Sequence, residues 1–273
     1  MTKLSFSNIA WSPVNNEYIY TILQESGFEG LEIAPTIVFE GTYSPTPTQI
    51  KKFVKSVKKC SLSISSMQSI LFGRDDLKLF ESVKSREAFL KHIKDVLKLA
   101  ESLNCPNIVF GSPKNRIIYQ QNHNTALETA VEFFQEVAYI SKPLGINVSI
   151  EANPKEYGTN FLTTTMDTIN FIHKVASPNV GLNLDIGTVL MNKENLAEII
   201  GGSAEILKHV HISIPYLQII SDSSNNALYN ELRDLLSGTN YKGYVSIEMR
   251  KAEEVDKEVS AVKKTIEIIK TVF

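Results

Sequence analysis

Cysteine is nearly missing from this chain: two residues in 273, Cys60 and Cys105. They stand far apart and form no C-x-x-C pair. That argues against a disulfide scaffold, and reduced thiols of a cytoplasmic protein are expected. A basic surplus is also missing. Lys and Arg number 28 against 30 Asp and Glu, a net charge of −2. A protein that grips nucleic acid through its phosphates normally carries the opposite balance, so no nucleic-acid partner is expected. No apolar run is long enough to span a bilayer, and Met1-Thr2-Lys3-Leu4-Ser5-Phe6 leads straight into an alternating segment with no signal-peptide core. A soluble chain with no membrane partner is the expectation. Linkers, low-complexity tracts and charge blocks are absent too, which suggests one domain over residues 1–273. Finally, no Gly-rich phosphate turn follows an early strand. Gly27 and Gly30 flank the start of the second strand instead, which argues against an open dinucleotide-binding sheet.

What is present is strict alternation of strand and helix patterns. Strands are expected near Leu4–Ala10, Gly30–Ile33, Ser61–Gln68 and Asn107–Gly111, then at Ile146–Glu151, Val180–Asp185, His209–His211 and Tyr244–Glu248. Helices are expected near Glu17–Ser26, from Thr46, from Ser85, from Thr125, and near Thr164–Val175, Glu194–Ile200, Asn226–Leu236 and Asp256–Val272. Thr46-Pro47-Thr48-Gln49 reads as a capping box with proline at the first helical position. Thr125-Ala126-Leu127-Glu128 reads as another. Eight strand–helix units in about 250 residues match an α/β fold of the (β/α)₈ TIM-barrel type, whose active sites lie at the carboxyl ends of the strands.

The last four strands share a parity. Alternate residues of a strand face opposite sides. Val148, Ile150, Val180, Leu182, Leu184, Val210, Val245 and Ile247 form one apolar face. Ser149, Glu151, Asn183, Asp185, His209, His211, Ser246 and Glu248 form the other. In a barrel the polar face points inward, and three carboxylates and an imidazole converge at one edge. Each has an ordinary alternative. A strand-end carboxylate also serves as a helix cap or ion-pair partner, and an inward histidine as a core residue. Four consecutive strands ending alike favour a shared cation, because an uncompensated cluster is costly to bury.

The segments Ser149-Ile150-Glu151-Ala152-Asn153-Pro154, Gly181-Leu182-Asn183-Leu184-Asp185-Ile186-Gly187, His209-Val210-His211 and Ser246-Ile247-Glu248 carry a resemblance that extends over nearly the whole chain. The sequence resembles the sugar phosphate isomerase/epimerase superfamily, the xylose isomerase-like barrels that include the ketose 3-epimerases. The resemblance implies one divalent ion held by Glu151, Asp185, His211 and Glu248, with Glu151 and Glu248 as the catalytic acid/base pair. A set rich in oxygen with one imidazole favours Mn²⁺, Mg²⁺ or Co²⁺ over zinc. The chemistry that follows is proton abstraction beside a carbonyl, a metal-stabilised enediolate, and reprotonation at the same or a neighbouring carbon. Thr188 stands where many relatives have His, and Pro215 lies in a segment without their usual Asp.

Other residues are candidates for the sugar or sugar-phosphate substrate. Lys114 and Arg116 follow the fourth strand, where they could reach an anionic group. Trp11 could supply an aromatic wall, Glu32 has inward parity, and Asn153 and Arg250 flank two of the carboxylates. His209 is assigned to the substrate region or to orienting a ligand from a deeper layer. The apolar loop Met67–Asp75 reads as a lid or substrate wall. His92, His123 and His173 are given no function. Competing readings are a lyase or dehydratase sharing the same ligands, an apurinic endonuclease-like hydrolase, and a non-catalytic sugar- or metal-binding barrel. The hydrolase would need more than the five histidines present. A homo-oligomer is left open.

Overall fold

The computed structural model describes residues 2–273. Eight parallel strands follow one another around a closed barrel, β1 to β8 in chain order. They are β1 Lys3–Ser7, β2 Gly30–Ile33, β3 Ser63–Met67, β4 Asn107–Phe110, β5 Asn147–Glu151, β6 Val180–Asp185, β7 Leu207–Ile212 and β8 Tyr244–Ile247. The helices are α1 Asn16–Glu25, α2 Pro35–Val38, α3 Pro47–Lys59, α4 Val83–Ser102, α5 His123–Ser141, α6 Thr165–Val175, α7 Ile186–Asn192, α8 Leu196–Ser203, α9 Asn226–Ser237 and α10 Val255–Ile269. Among the described residues, no helix is long and apolar enough to cross a membrane.

The apolar parity set faces the helices. Val148, Ile150, Val180, Leu182, Leu184, Val210, Val245 and Ile247 are all buried, joined in one core with Phe89, Phe134 and Ile266 from the helices. The polar set lines the barrel interior, where hydroxyls and amides bond across strands. Ser149 donates to Asn107 Oδ1 (2.5 Å), Asn107 Nδ2 donates to Ser66 Oγ (2.9 Å), and Ser246 donates to Glu32 Oε2 (2.9 Å). A barrel interior is usually filled by branched aliphatic side chains. This one is filled by polar groups, most of them bonded to one another, the condition on which burial of polar atoms is tolerated; Asn183 Oδ1 is an exception.

Strand register sets the functional edge. Glu151 pairs with Asn183, Asp185 with His211, and His211 with Ser246. A shift between Leu182 and Asn183 advances β7 by one residue against β6 and brings Asp185 level with His211.

The first capping box is present: Thr46 Oγ1 accepts from Gln49 N, and Gln49 Oε1 accepts from Thr46 N. The second is not. Helix α5 begins at His123, and its cap is Asn122, whose Oδ1 accepts from Thr125 N at 2.9 Å. A short helix, α7, separates β6 from α8 where the sequence pattern suggested only one helix.

The ring closes between its first and last units through Glu258 on α10. Its carboxylate accepts from Ser12 N (2.8 Å), Ser12 Oγ (2.7 Å) and Asn15 Nδ2 (2.7 Å), in the segment between β1 and α1.

Candidate active site

The carboxyl ends of β5 to β8 frame a cavity of about 710 Å³ whose lining includes Glu151, Asn153, Asp185 and Glu248. His211 lies between the carboxylates. Its Nδ1 is 3.2 Å from Glu151 Oε2 and 3.2 Å from Glu248 Oε2. Glu151, His211 and Glu248 offer ligand atoms all within 4.8 Å of one another. Asp185 stands just outside that trio. It caps α7, accepting from Thr188 N at 2.6 Å, and its other oxygen accepts from the Ser213 hydroxyl at 2.5 Å. Ser213 continues the inward parity of His209 and His211, a signal available in the sequence but not used there.

The other face of His211 explains its pose. Nε2 lies 3.0 Å from Glu32 Oε1, and His209 Nε2 lies 3.1 Å from the same oxygen. Burial alone would raise the Glu32 pKa. His211 and His209 outweigh it and hold the carboxyl well below its ordinary range. An ionised Glu32 accepts a hydrogen bond from Nε2–H and aims Nδ1 at Glu151 and Glu248, where it would be able to bind an ion on giving up its own proton. This is how carboxylates behind imidazole ligands fix their tautomer. Asn183 Nδ2 donates to Glu151 Oε2 (2.6 Å) and sits 3.1 Å from His211 Nδ1. Asn153 Nδ2 donates to Glu151 Oε1 (2.8 Å). A Cβ at Gly111 would meet Glu151 Oε1 at 2.8 Å and push that carboxylate from this position.

The donor set fits a cation. Burial pushes Glu248 up to about 7; the charges of Glu151 and Asp185 add to this, while His211 opposes it. Burial, then the Glu151 charge, pushes Asp185 up to about 6. Burial would lower His211, but Glu32, Glu248 and Glu151 lift it well above the usual imidazole range. Protons held on Glu248, Asp185 and His211 offset the crowding of negative charge, a task that a divalent ion could take over in their place. An oxygen-rich set with a single nitrogen suits Mn²⁺, Mg²⁺ or Co²⁺.

The other sequence candidates lie at different depths. Glu32 is fully buried and outside the cavity lining, bonded to His211 and Ser246. His209 is equally buried and faces Glu32, not the cavity mouth. Arg116 is fully buried: its Nη1 donates to the Glu151 carbonyl oxygen at 2.8 Å, and its guanidinium lies 5.7 Å from the Phe110 ring. It packs behind the carboxylate, with Nε and Nη2 buried and without a hydrogen-bond partner. Burial lowers its pKa to about 10, opposed by the Glu151 charge. Trp11 packs against Phe6 and Tyr20, with Nε1 donating to Asn16 Oδ1 (2.8 Å), and is outside the cavity lining. The Arg250 side chain is exposed and outside the cavity lining; its backbone N–H donates to Leu217 O (2.7 Å). Lys114 lines the mouth but is 70% exposed, with Asp75 3.9 Å away. The loop after β3 is a wall: Gln68, Leu71, Phe72 and Asp75 line the cavity.

A family model described as the xylose isomerase-like TIM barrel matches residues 21–272. The chain belongs to that family. Over 131 residues it is 28% identical to a ketose 3-epimerase of Arthrobacter globiformis, covering 48% of this chain and 44% of that protein. The chain thus aligns with less than half the length of this curated relative. Among solved structures of the xylose isomerase-like fold, 3-keto-D-glucoside 4-epimerase from E. coli superposes with a TM-score of 0.80 at 19% identity, over 99% of this chain and 100% of that one. D-psicose 3-epimerase from Clostridium cellulolyticum H10 gives 0.77 at 17% identity, over 99% of each chain. At such identities the likeness is one of fold.

Proposed function

We propose that this barrel is an enzyme, a divalent-cation-dependent epimerase or isomerase of a keto sugar, with Glu151 and Glu248 as its proton-transfer pair and the whole chain, 1–273, acting as one domain. The observation that carries this reading is the placement of two carboxylates on either side of one imidazole nitrogen, each 3.2 Å from it, at the floor of a cavity of about 710 Å³. The names of its relatives, a ketose 3-epimerase and a 3-keto-D-glucoside 4-epimerase, support the substrate class.

Glu151, His211 and Glu248, with Asp185 beside them, would hold the ion. When bound, it polarises a carbonyl and its neighbouring hydroxyl as a Lewis acid. The protein's own contribution is to move a proton. One glutamate removes the proton alpha to the carbonyl, and the C–H electron pair passes into an enediolate. The other glutamate donates a proton to the same carbon from the opposite face, or to the neighbouring carbon. The first outcome is epimerisation and the second is isomerisation. Asn153 and Asn183 hold the two Glu151 oxygens in place for this, and Glu32 holds the imidazole.

The test pairs the ion content of the native protein and of Glu151→Gln with solvent-deuterium wash-in on a panel of ketoses. About one equivalent of ion is expected in the native protein and little in the variant, with deuterium appearing on carbon only in the native reaction. A native protein that takes up no Mn²⁺, Mg²⁺ or Co²⁺ would refute the reading.

A further inference from the structure

Phe72 is the one phenylalanine of 13 left exposed among the described residues, at 71%. Tyr216 is 57% exposed. Both line the mouth of the cavity that ends on Glu151 and Glu248. Large apolar rings in water cost free energy unless something covers them.

Neither ring is on a slack loop. The Phe72 loop is tied from both sides: Tyr43 Oη donates to Ser69 O (3.1 Å) and Phe72 O (3.0 Å), and His92 Nε2 meets Ile70 O at 2.7 Å. The Tyr216 loop adopts two successive left-handed residues without glycine, Tyr216 at φ 61° and Leu217 at φ 52°. Such backbone is costly and persists only where its surroundings enforce it, often beside functional sites. Here Tyr216 N donates to Tyr157 Oη (2.9 Å), and the two rings meet edge to face at 5.8 Å. Arg250 N closes the loop on Leu217 O. Two braced, exposed rings can stack on a ligand with little ordering cost.

The electrostatics of the mouth decide what kind of ligand. Lys114 is the one cation lining it among the described residues, and Asp75 faces that lysine while the floor is carboxylate. Arg116, the other expected anchor for an anion, is buried and outside the lining. A phosphate would find poor complementarity. The C–H faces of a sugar ring would find aromatic platforms, and a single ring seated on the floor leaves part of a cavity this size unfilled.

We infer that the substrate is a neutral keto sugar bearing a second, glycosidically linked ring, and that Phe72 and Tyr216 clasp that ring at the mouth. This rests on the epimerase or isomerase reading above. The probes are D-fructose, fructose 6-phosphate, lactulose and isomaltulose, the last two being fructose with a second ring. Each is titrated calorimetrically into the Mn²⁺-loaded protein, and each is assayed for deuterium wash-in. The two-ring ketoses should bind roughly tenfold tighter than D-fructose, and Phe72→Ala or Tyr216→Ala should each cut that ratio about three- to tenfold. Phe72→Trp should keep the ratio, as loss of a loop brace would not. Tightest binding by fructose 6-phosphate overturns the inference, and so does a ratio that both alanine variants leave intact. Ring-dependent binding without wash-in into any ketose sustains the platform and removes the reaction class. Wash-in that is indifferent to the second ring does the reverse.

Discussion

Glu32 carries a charge into the barrel interior with no exposure to solvent, and its partners are imidazoles. Its value lies in orientation. Glu32→Gln keeps the shape and removes the charge that claims the His211 Nε2 proton. We expect Mn²⁺ affinity to fall about 10- to 100-fold in calorimetric titration, while circular dichroism shows an intact barrel. The sequence revealed the inward parity of Glu32 but not its role, because its partner lies 179 residues away. The burial of Arg116 is hidden in the sequence for a related reason. A loop residue has no periodicity that reports burial, and a guanidinium tucked against a carbonyl and a phenyl ring looks like any basic loop residue until packing is known. Asp185 is marked as a ligand candidate by its strand end and by the family resemblance. Its double engagement with Thr188 and Ser213 depends on α7, a helix of seven residues that is too short to leave a hydrophobic period.

At the scale of elements, strong local signals survived and weak ones did not. The Thr46–Gln49 box was legible because cap, proline and third-position glutamine agree. Thr46→Ala should cost about 1 kcal/mol in denaturant unfolding. Thr125-x-x-Glu128 had the same form, yet Asn122 captured the helix start three residues earlier, since Asn caps at least as well as Thr. Glu258 ties α10 to the segment after β1. Burial would raise its pKa, but the hydrogen bonds from Ser12 and Asn15 outweigh it and leave the carboxyl below its ordinary value. A group depressed in the folded state stabilises above its unfolded pKa, near 4.3, and loses that contribution as pH falls through the folded value. Glu258→Gln should therefore cost about 1–3 kcal/mol at neutral pH, and the gap to the native protein should narrow in urea titrations carried into acid.

For the molecule as a whole, eight alternating units made the barrel readable, and strand parity made its polar interior readable. Loop conformation was not, so the rim aromatics emerged only in three dimensions. The crowded floor makes a global prediction. Glu248 and Asp185 hold protons more firmly folded than unfolded, with values near 7 and 6. Such groups stabilise below the unfolded carboxylate pKa, near 4, and lose that contribution as pH rises through the folded values. The metal-free protein should thus lose thermal stability between about pH 4 and 7. Mn²⁺ should restore it, because the ion replaces those protons and binds only the folded state. EDTA should then lower Tm more at pH 8 than at pH 5.5, a difference that scanning calorimetry reads directly. The Glu32–His211 bond has one more consequence, in time rather than in space. During synthesis Glu32 emerges long before His211, and the strands that carry them meet only when the ring shuts. The proposed ion site therefore needs the whole ring, and a chain truncated after β6 would lack both the imidazole and Glu248.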